Sequence, residues 1–184
     1  MIEKEVKLKV FSPSLESIKS KIMESGTKLL KVEYQEDMYF NSSWKDFRKS
    51  DEALRLRTIE ISDTKTLELT YKGPKLSQTV KSREEITVTL DYKQLDNLIK
   101  ILERLGFKQV INLKKKRETF LINNYYVSLD YVNDLGEFIE IEAINGTEKE
   151  LQEFTKEFIK KYNIIAEQTL KSYLELILEK HVPE

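Results

Sequence analysis

The sequence predicts an α+β fold in which eight antiparallel strands close into a barrel and helices pack on its outside. Three observations predict this fold. Segments with alternating apolar and polar residues recur along the chain, segments with helical periodicity separate them, and one strand-and-helix unit occurs twice. Closure is expected because it removes exposed strand edges. The length of 184 residues suits one domain spanning residues 1–184.

The strand predictions follow from a period of two, because successive side chains of a strand point to opposite faces. In the first strand, Glu3, Glu5 and Lys7 lie on one face, and Val6 and Leu8 lie on the other. The predicted strands span residues 2–10, 34–41, 53–61, 66–73, 83–90, 112–122, 125–132 and 137–143.

Four segments carry apolar residues at the three-to-four spacing of an amphipathic helix. Ser14 can cap the first of these helices, and Gly26 and Gly106 follow the first two helices where a C-cap is expected. The predicted helices span residues 14–25, 92–105, 148–162 and 169–180.

The two halves of the chain resemble each other when the sequence is shifted by 80 residues without a gap. The shift places Glu5 on Glu85 and Gly26 on Gly106. We therefore predict that one structural unit is used twice. The two pseudo-repeats span about residues 1–80 and 81–184.

The composition excludes several classes of protein. With 31 basic and 32 acidic residues, the net charge of −1 predicts neither nucleic-acid nor membrane binding. The absence of Cys excludes disulfides, thiolate nucleophiles and zinc–thiolate sites. No segment is apolar enough for a signal peptide or a membrane span, so we expect a soluble, cytoplasmic protein. The sequence is compatible with a homodimer.

The charged strand faces are expected to line the barrel. The helices carry apolar stripes that must be buried, and the apolar strand faces can bury them. The apolar faces therefore point outward towards the helices, and the charged faces point inward. Arginine and lysine side chains bind phosphate oxygens, and carboxylates are suitable ligands for Mg²⁺ or Mn²⁺. The pattern therefore predicts a polyanion site that uses a divalent cation. The inward-facing residues are Arg55, Arg57, Lys72, Arg83, Glu85, Lys115, Arg117, Asp130, Glu140 and Glu142.

An ordered series of motifs resembles the CYTH family of triphosphate tunnel enzymes over nearly the whole chain. The series consists of E-x-E-x-K at residues 3–7, Lys72-Gly-Pro, K-x-R at residues 115–117, and the segments L-D-Y-V and L-G-E-F-I-E-I-E at residues 129–132 and 135–142. Segments 37–40 and 51–55 are most similar to the class IV adenylyl cyclase branch.

The resemblance implies a role for each group of charged residues. It implies that the metal ligands are Glu3, Glu5, Asp130, Glu140 and Glu142. It implies that the triphosphate is bound by Lys7, Arg55, Arg57, Lys72, Arg83, Lys115 and Arg117, with Lys171 resembling a lysine of the thiamine triphosphatase branch. The residues expected to act in catalysis are Glu3, Glu5, Lys7 and Asp130.

Four functions remain open on the sequence alone. The first is a Mg²⁺- or Mn²⁺-dependent adenylyl cyclase that converts ATP to cyclic AMP and pyrophosphate. The second is a triphosphatase that hydrolyses inorganic triphosphate, thiamine triphosphate or a nucleoside triphosphate, since the same tunnel serves either reaction. The third is a non-enzymatic module that binds polyphosphate or nucleotides, and the fourth is a structural protein in which paired charges fill the barrel.

Overall fold

The computed structural model describes residues 2–77 and 81–181, with side chains described within 4–77 and 82–180. Its strands are β1 (Ile2–Ser12), β2 (Leu29–Ser42), β3 (Ala53–Ile61), β4 (Thr64–Lys75), β5 (Lys81–Asp91), β6 (Phe107–Ile122), β7 (Tyr125–Val132), β8 (Gly136–Ala143) and β9 (Ile165–Thr169). Its helices are α1 (Leu15–Glu24), α2 (Leu95–Arg104), α3 (Glu148–Tyr162) and α4 (Tyr173–His181), and a 3₁₀ turn spans Tyr92–Gln94.

Eight antiparallel strands form a closed barrel, as the sequence predicts. The strands are hydrogen-bonded in the order β5-β4-β3-β2-β6-β7-β8-β1, and β1 also pairs with β5 to close the barrel. The first half of the chain runs β-α-β-β-β, and the second half begins with the same order. The predicted strands match β1 to β8, although β2 and β6 are longer than predicted.

The ninth strand, β9, was not predicted. It pairs with the second half of β1, from Lys7 opposite Thr169 to Ser12 opposite Ile165. The predicted helix 169–180 begins at Tyr173 instead. Asn163, in the left-handed conformation with φ of 53°, ends α3 and turns the chain back towards the barrel. Residues 165–169 read Ile-Ala-Glu-Gln-Thr, in which apolar and polar residues do not alternate, so the pattern could not identify this strand.

Helices α1, α2 and α3 cover the apolar outer face of the barrel. A core cluster joins Ile18 and Leu151 of the first and third helices to Leu8 and Ile139 of the strands. A smaller cluster places Leu102 of α2 among outward residues of β2, β3 and β4. The helix ends follow standard capping chemistry, because a Ser side chain caps α1 and a Thr–Glu capping box begins α3.

The fourth helix has a different position. Tyr173 at its first turn packs with Leu113, Val132 and Phe138, whose side chains share the inward strand faces of β6, β7 and β8. The helix therefore closes one side of the barrel interior, whereas the other three helices cover its outer wall. None of the helices in the described part of the chain is long and apolar enough to span a bilayer.

Candidate functional site

The interior of the barrel contains a charged cavity of about 280 Å³. The strands expose their charged faces to it because Val6, Leu8, Leu56 and Ile139, on the opposite faces, are fully buried under the helices. The bases predicted from strand parity all line it, whereas Lys171 does not: the predicted lining bases are Lys7, Arg55, Arg57, Lys72, Arg83, Lys115 and Arg117. The strand parity read from the sequence therefore places these side chains around one space.

Two arginines in the cavity wall carry guanidinium N–H donors that are not used in hydrogen bonds to described residues. Arg55 and Arg83 are almost completely buried, and among the described residues neither Arg55 Nε nor Nε and Nη2 of Arg83 has a hydrogen-bond partner. Within the described residues, Arg83 Nη2 lies 3.7 Å from Asp51 Oδ1, which is an ion-pair distance. Buried guanidinium donors without partners cost free energy, so their retention in the wall of a cavity points to an anionic ligand.

Asp37 and Arg57 form a buried ion pair between β2 and β3. Arg57 Nε lies 2.5 Å from Asp37 Oδ1, and Nη2 lies 2.7 Å from Oδ2. Burial alone raises the pKa of Asp37, but the positive charges of Arg57 and Arg55 outweigh it and hold this pKa well below its usual value. Arg57 is thereby fixed at the cavity wall in one orientation.

Asp130 lies at the centre of a second ionic cluster. Lys115 Nζ is 2.9 Å from Asp130 Oδ2, and Arg117 Nε is 2.6 Å from Oδ1. Arg117 Nη2 also donates to Oδ2, and Tyr173 OH donates a fourth hydrogen bond, at 2.8 Å from Oδ2. Burial opposes ionisation of Asp130, yet Arg117 and Lys115 lower its pKa. The family resemblance implies a metal ligand at Asp130, and in the structure its oxygens contact two bases and a phenol.

Lys115 has an unusually low pKa. Burial, and then repulsion by Arg117, lower the pKa of Lys115 to about 7, although the charge of Asp130 acts in the opposite direction. The ammonium group also lies 4.8 Å from the centre of the Tyr173 ring. The cavity wall therefore holds a lysine that binds its proton less tightly than an exposed lysine does.

A third cluster joins β1 to β8. Lys7 Nζ lies 3.0 Å from Glu140 Oε1 and 3.8 Å from Glu5 Oε1. Arg117 also contacts Glu140. Glu5 and Glu140 both line the cavity, so their carboxylates and the bases face the same space.

A model of the CYTH domain matches residues 1–173. This chain belongs to the CYTH family. A CYTH relative from Methanocaldococcus jannaschii, named provisionally as an adenylate cyclase, is 38% identical over 181 residues, which cover 96% of this chain and 98% of the relative.

Two solved structures are similar over nearly their whole length. The Pyrococcus horikoshii protein PH1819 has a TM-score of 0.83 at 35% identity, covering 96% of this chain and 99% of that one. HpAC1 from Hippeastrum, described as an adenylyl cyclase candidate with a dominant triphosphatase activity, has a TM-score of 0.76 at 19% identity, covering 98% of this chain and 97% of that one. At that identity the second likeness shows the barrel fold alone.

CYTH tunnel enzymes use divalent metals, and the donor chemistry of this cavity fits such an ion. Glu5 and Glu140 offer hard oxygen ligands beside the bases. Glu142 lies opposite Glu5 in the β1–β8 register but is not part of the cavity lining. The side chain of Glu3 lies outside the described residues. Among the described side chains, no three acidic groups converge as a metal site.

Lys171 occupies a different place from the other bases assigned to phosphate binding in this CYTH protein. Its ammonium group is about half exposed and lies 2.8 Å from Glu179, and it is not part of the cavity lining. Its backbone carbonyl, in contrast, accepts a long hydrogen bond of 3.5 Å from Lys7. The structure therefore brings the Lys171 backbone, and not its ammonium group, to the edge of the site.

Lys72 contacts Glu85 across β4 and β5, and strand parity places both side chains on the inward face.

Part of the cavity lining of this CYTH protein was not predicted. The additional residues come from the loop between β2 and β3, from the residue just before α4 and from α4 itself: Phe47, Arg48, Asp51, Glu52, Ser172, Tyr173, Leu174, Glu175, Leu178 and Glu179. Loop and helix residues follow no strand parity, so the alternation that identifies the strand faces cannot identify them.

Proposed function

We propose that this CYTH protein is a divalent-metal-dependent enzyme that acts on a triphosphate, with ATP as the first candidate substrate. One observation carries the proposal: Arg55 and Arg83 line the cavity, and within the described part of the chain they keep buried guanidinium donors that have no hydrogen-bond partner. A phosphate chain supplies the acceptors that these guanidinium groups lack, and arginine binds phosphate oxygens through two parallel hydrogen bonds.

The open space argues against a purely structural role for the charges. If the acids and bases served only to pair with one another, they would fill the barrel. Instead, Lys7, Arg117 and Glu140 form ion pairs at the wall and leave a cavity of about 280 Å³. The arrangement supports binding of a multiply charged ligand whose charges complete the network.

In the proposed cyclase reaction, the 3′-hydroxyl oxygen of ATP attacks the α-phosphorus and the bond from that phosphorus to the β-phosphate oxygen breaks. Cyclic AMP and pyrophosphate form, and the hydroxyl proton is released. Arg55, Arg83 and Lys72 would hold the departing pyrophosphate. Glu5 and Glu140 would hold the divalent cation, which supplies neutralisation of phosphate charge and lowers the pKa of the attacking hydroxyl.

Two observations support ATP as the substrate. The M. jannaschii relative with 38% identity carries an adenylate cyclase name. In addition, Phe47, Leu174 and Leu178 add apolar surface to a cavity that is otherwise mostly charged. An adenine ring requires such a surface, whereas an inorganic triphosphate does not.

Hydrolysis of a triphosphate is the second candidate, and the cavity size favours it. A volume of about 280 Å³ is at the small end for a ligand pocket, so inorganic triphosphate fits the described space more readily than a whole nucleotide. In this reaction, a water oxygen attacks the terminal phosphorus and the bond from that phosphorus to the bridging oxygen breaks. Orthophosphate forms, the water proton is released, and the same bases hold the departing chain of remaining phosphates.

The test is to incubate the full chain with Mg²⁺ or Mn²⁺ and, separately, with ATP, inorganic triphosphate or thiamine triphosphate, and to identify the products by chromatography. From ATP, cyclic AMP with pyrophosphate supports the cyclase, whereas orthophosphate and ADP without cyclic AMP reject it in favour of hydrolysis. Tight binding of all three compounds without any turnover would show that the protein is a binding module. An Arg83→Gln variant controls for contaminating activity.

A further inference from the structure

The cavity lining has two parts that differ in chemistry and in origin. The basic side chains that can hold phosphate lie on strands of the barrel, such as Arg55 on β3 and Lys72 on β4. The side chains of Phe47, Leu174 and Leu178 form an apolar wall, and they come from the loop between β2 and β3 and from α4. Inorganic triphosphate can bind through the basic side chains alone, whereas a nucleoside triphosphate also needs an apolar surface for its nucleobase.

Lys75, the last residue of β4, joins the two elements that carry the apolar wall. Its ammonium group lies 3.0 Å from Asp51 Oδ1 in the loop and 2.6 Å from Glu175 Oε1 in the first turn of α4. The Lys75 backbone N–H also donates to Asp51 Oδ2, at 2.7 Å. One side chain therefore bridges the loop and the helix, and we call Asp51, Lys75 and Glu175 the Lys75 clasp.

Both acids of the Lys75 clasp are fixed to the element that carries them. Glu175 Oε2 accepts hydrogen bonds from the Ser172 N–H at 2.7 Å and the Ser172 hydroxyl at 2.8 Å, which leaves Oε1 for Lys75. Asp51 has the left-handed φ of 53°, and the next residue, Glu52, donates its N–H to the Phe47 carbonyl oxygen at 2.9 Å. The clasp is thereby connected to the backbone of Phe47 on one side and to the start of α4 on the other.

Lys75 acts outside the part of the cavity that holds phosphate. It is not part of the cavity lining, although Asp51 and Glu175 are. Its side chain is only 20% exposed, and an ion pair that is partly removed from water is stronger than one on the open surface. Loss of the Lys75 charge should therefore release the apolar wall without removing a phosphate contact.

We propose that Lys75 is a specificity-determining residue, which favours a nucleoside triphosphate over inorganic triphosphate by holding the loop and α4 in the positions that form the apolar wall. This inference rests on the proposed function, because it takes the triphosphate site as given. A nucleobase gains affinity from Phe47, Leu174 and Leu178 only when they are already in place, since ordering them on binding costs free energy. Lys75 is a positioning residue, because it acts through Asp51 and Glu175 and not by contact with the substrate.

Lys75→Met tests the clasp, because it keeps an unbranched side chain and removes the charge that bridges the two acids. In calorimetric titration without added divalent cation, ATP should bind at least about tenfold more weakly than it binds to the unmodified protein. The affinity for inorganic triphosphate should change less than about threefold, because the basic side chains that hold it remain. Lys75→Arg should restore most of the ATP affinity, since a guanidinium group can bridge two carboxylates. Lys65→Met, which breaks the pair with Glu60 at the other end of β4, is the matched control and should bind both compounds normally.

Hydrogen–deuterium exchange gives a second readout that needs no ligand. In Lys75→Met, the backbone amides of α4 should exchange faster than in the unmodified protein, because the helix has lost its connection to the loop. The amides of α3 should exchange at an unchanged rate. Unchanged exchange in α4 would show that the clasp does not position this helix and would overturn the inference.

The titrations separate this inference from the proposed function. If the unmodified protein binds neither compound, the proposed function is wrong and the inference falls with it. If it binds both, the inference alone is wrong when Lys75→Met leaves the ATP affinity unchanged, raises it or lowers both affinities equally, or when Lys65→Met weakens ATP binding as much. Binding of inorganic triphosphate without binding of ATP would refute the inference and leave a triphosphate function standing, because the apolar wall would then hold no nucleobase.

Discussion

Tyr173 of α4 donates a hydrogen bond to Asp130 of β7, with 2.8 Å between the phenolic oxygen and Oδ2. The same ring lies beneath two ammonium groups, 4.0 Å from Lys7 Nζ and 4.8 Å from Lys115 Nζ. Burial raises the pKa of Tyr173 well above its usual value, so the phenol remains a donor. One residue of the C-terminal helix thus contacts the acid and two of the bases of the candidate site.

Replacement of Tyr173 by Phe should therefore weaken both stability and turnover. Loss of a hydrogen bond to a buried carboxylate is expected to lower the free energy of unfolding by about 1–3 kcal/mol. Turnover at saturating substrate should fall about tenfold, because Asp130 positions Lys115 and Arg117. Urea unfolding and steady-state kinetics measure the two effects. Tyr34→Phe, on an exposed residue, is the control. Unchanged turnover would mean that the contact is only structural.

Substitution of Arg83 should affect substrate affinity and stability in opposite ways. Arg83→Gln removes donors that are buried without partners, so the free energy of unfolding should stay within about 1 kcal/mol or rise. The dissociation constant for inorganic triphosphate should increase roughly 10–100-fold, as expected for charge-assisted hydrogen bonds. Calorimetric titration measures the affinity, with Arg104→Gln on α2 as the exposed control. A large loss of stability would contradict a ligand-binding role for these donors.

The carboxylate of Glu5 should be needed for metal-dependent turnover but not for phosphate binding. Glu5→Gln keeps the size of the side chain and removes a hard anionic ligand, so turnover should fall at least about 100-fold. Affinity for inorganic triphosphate without added metal should change less than about threefold, because the bases that hold it remain. Glu84→Gln, on the exposed outer face of β5, is the control. Full turnover in Glu5→Gln would remove Glu5 from the metal site.

The Asp37–Arg57 pair should make stability depend on acid pH. The folded-state pKa of Asp37 lies below the ordinary value of 3.8, so the folded state binds fewer protons than the unfolded state in this range. The stabilisation is therefore complete above pH 3.8 and decreases as pH falls towards the folded-state pKa.

Asp37→Asn tests this sign directly. At neutral pH the variant leaves Arg57 buried without its counter-ion and should lose about 3–5 kcal/mol in the free energy of unfolding. The difference from the unmodified protein should shrink as the pH is lowered below 3.8. Urea unfolding followed by circular dichroism at neutral and acid pH measures it, with the exposed Asp63→Asn as control. A difference that stays constant with pH would contradict the assignment.

The barrel and most of its charged lining could be predicted from the sequence because strand parity is a local property. Residues two positions apart on a strand point to the same face of the sheet. Arg55 and Arg57 must therefore share one face, as must Lys115 and Arg117, wherever their strands lie. The apolar stripes of the helices are buried against the other face of each strand, which carries the apolar residues. Together these facts fix which side chains point inward.

Other features depended on the tertiary structure. No local pattern encodes how the segment after α3 packs on the barrel. This packing decides that β9 pairs with β1, that Tyr173 enters the barrel interior and that the Lys171 side chain points outward. The choice of partners among many acids and bases likewise depends on distances of a few ångströms between strands. Asp130 illustrates this, because its sequence position is compatible with a metal ligand, whereas its neighbours in space are Lys115, Arg117 and Tyr173. The sequence determined the faces of the strands, and only the packed barrel decided which charges meet, because the attraction between two charges depends on their separation and on how far both are removed from water.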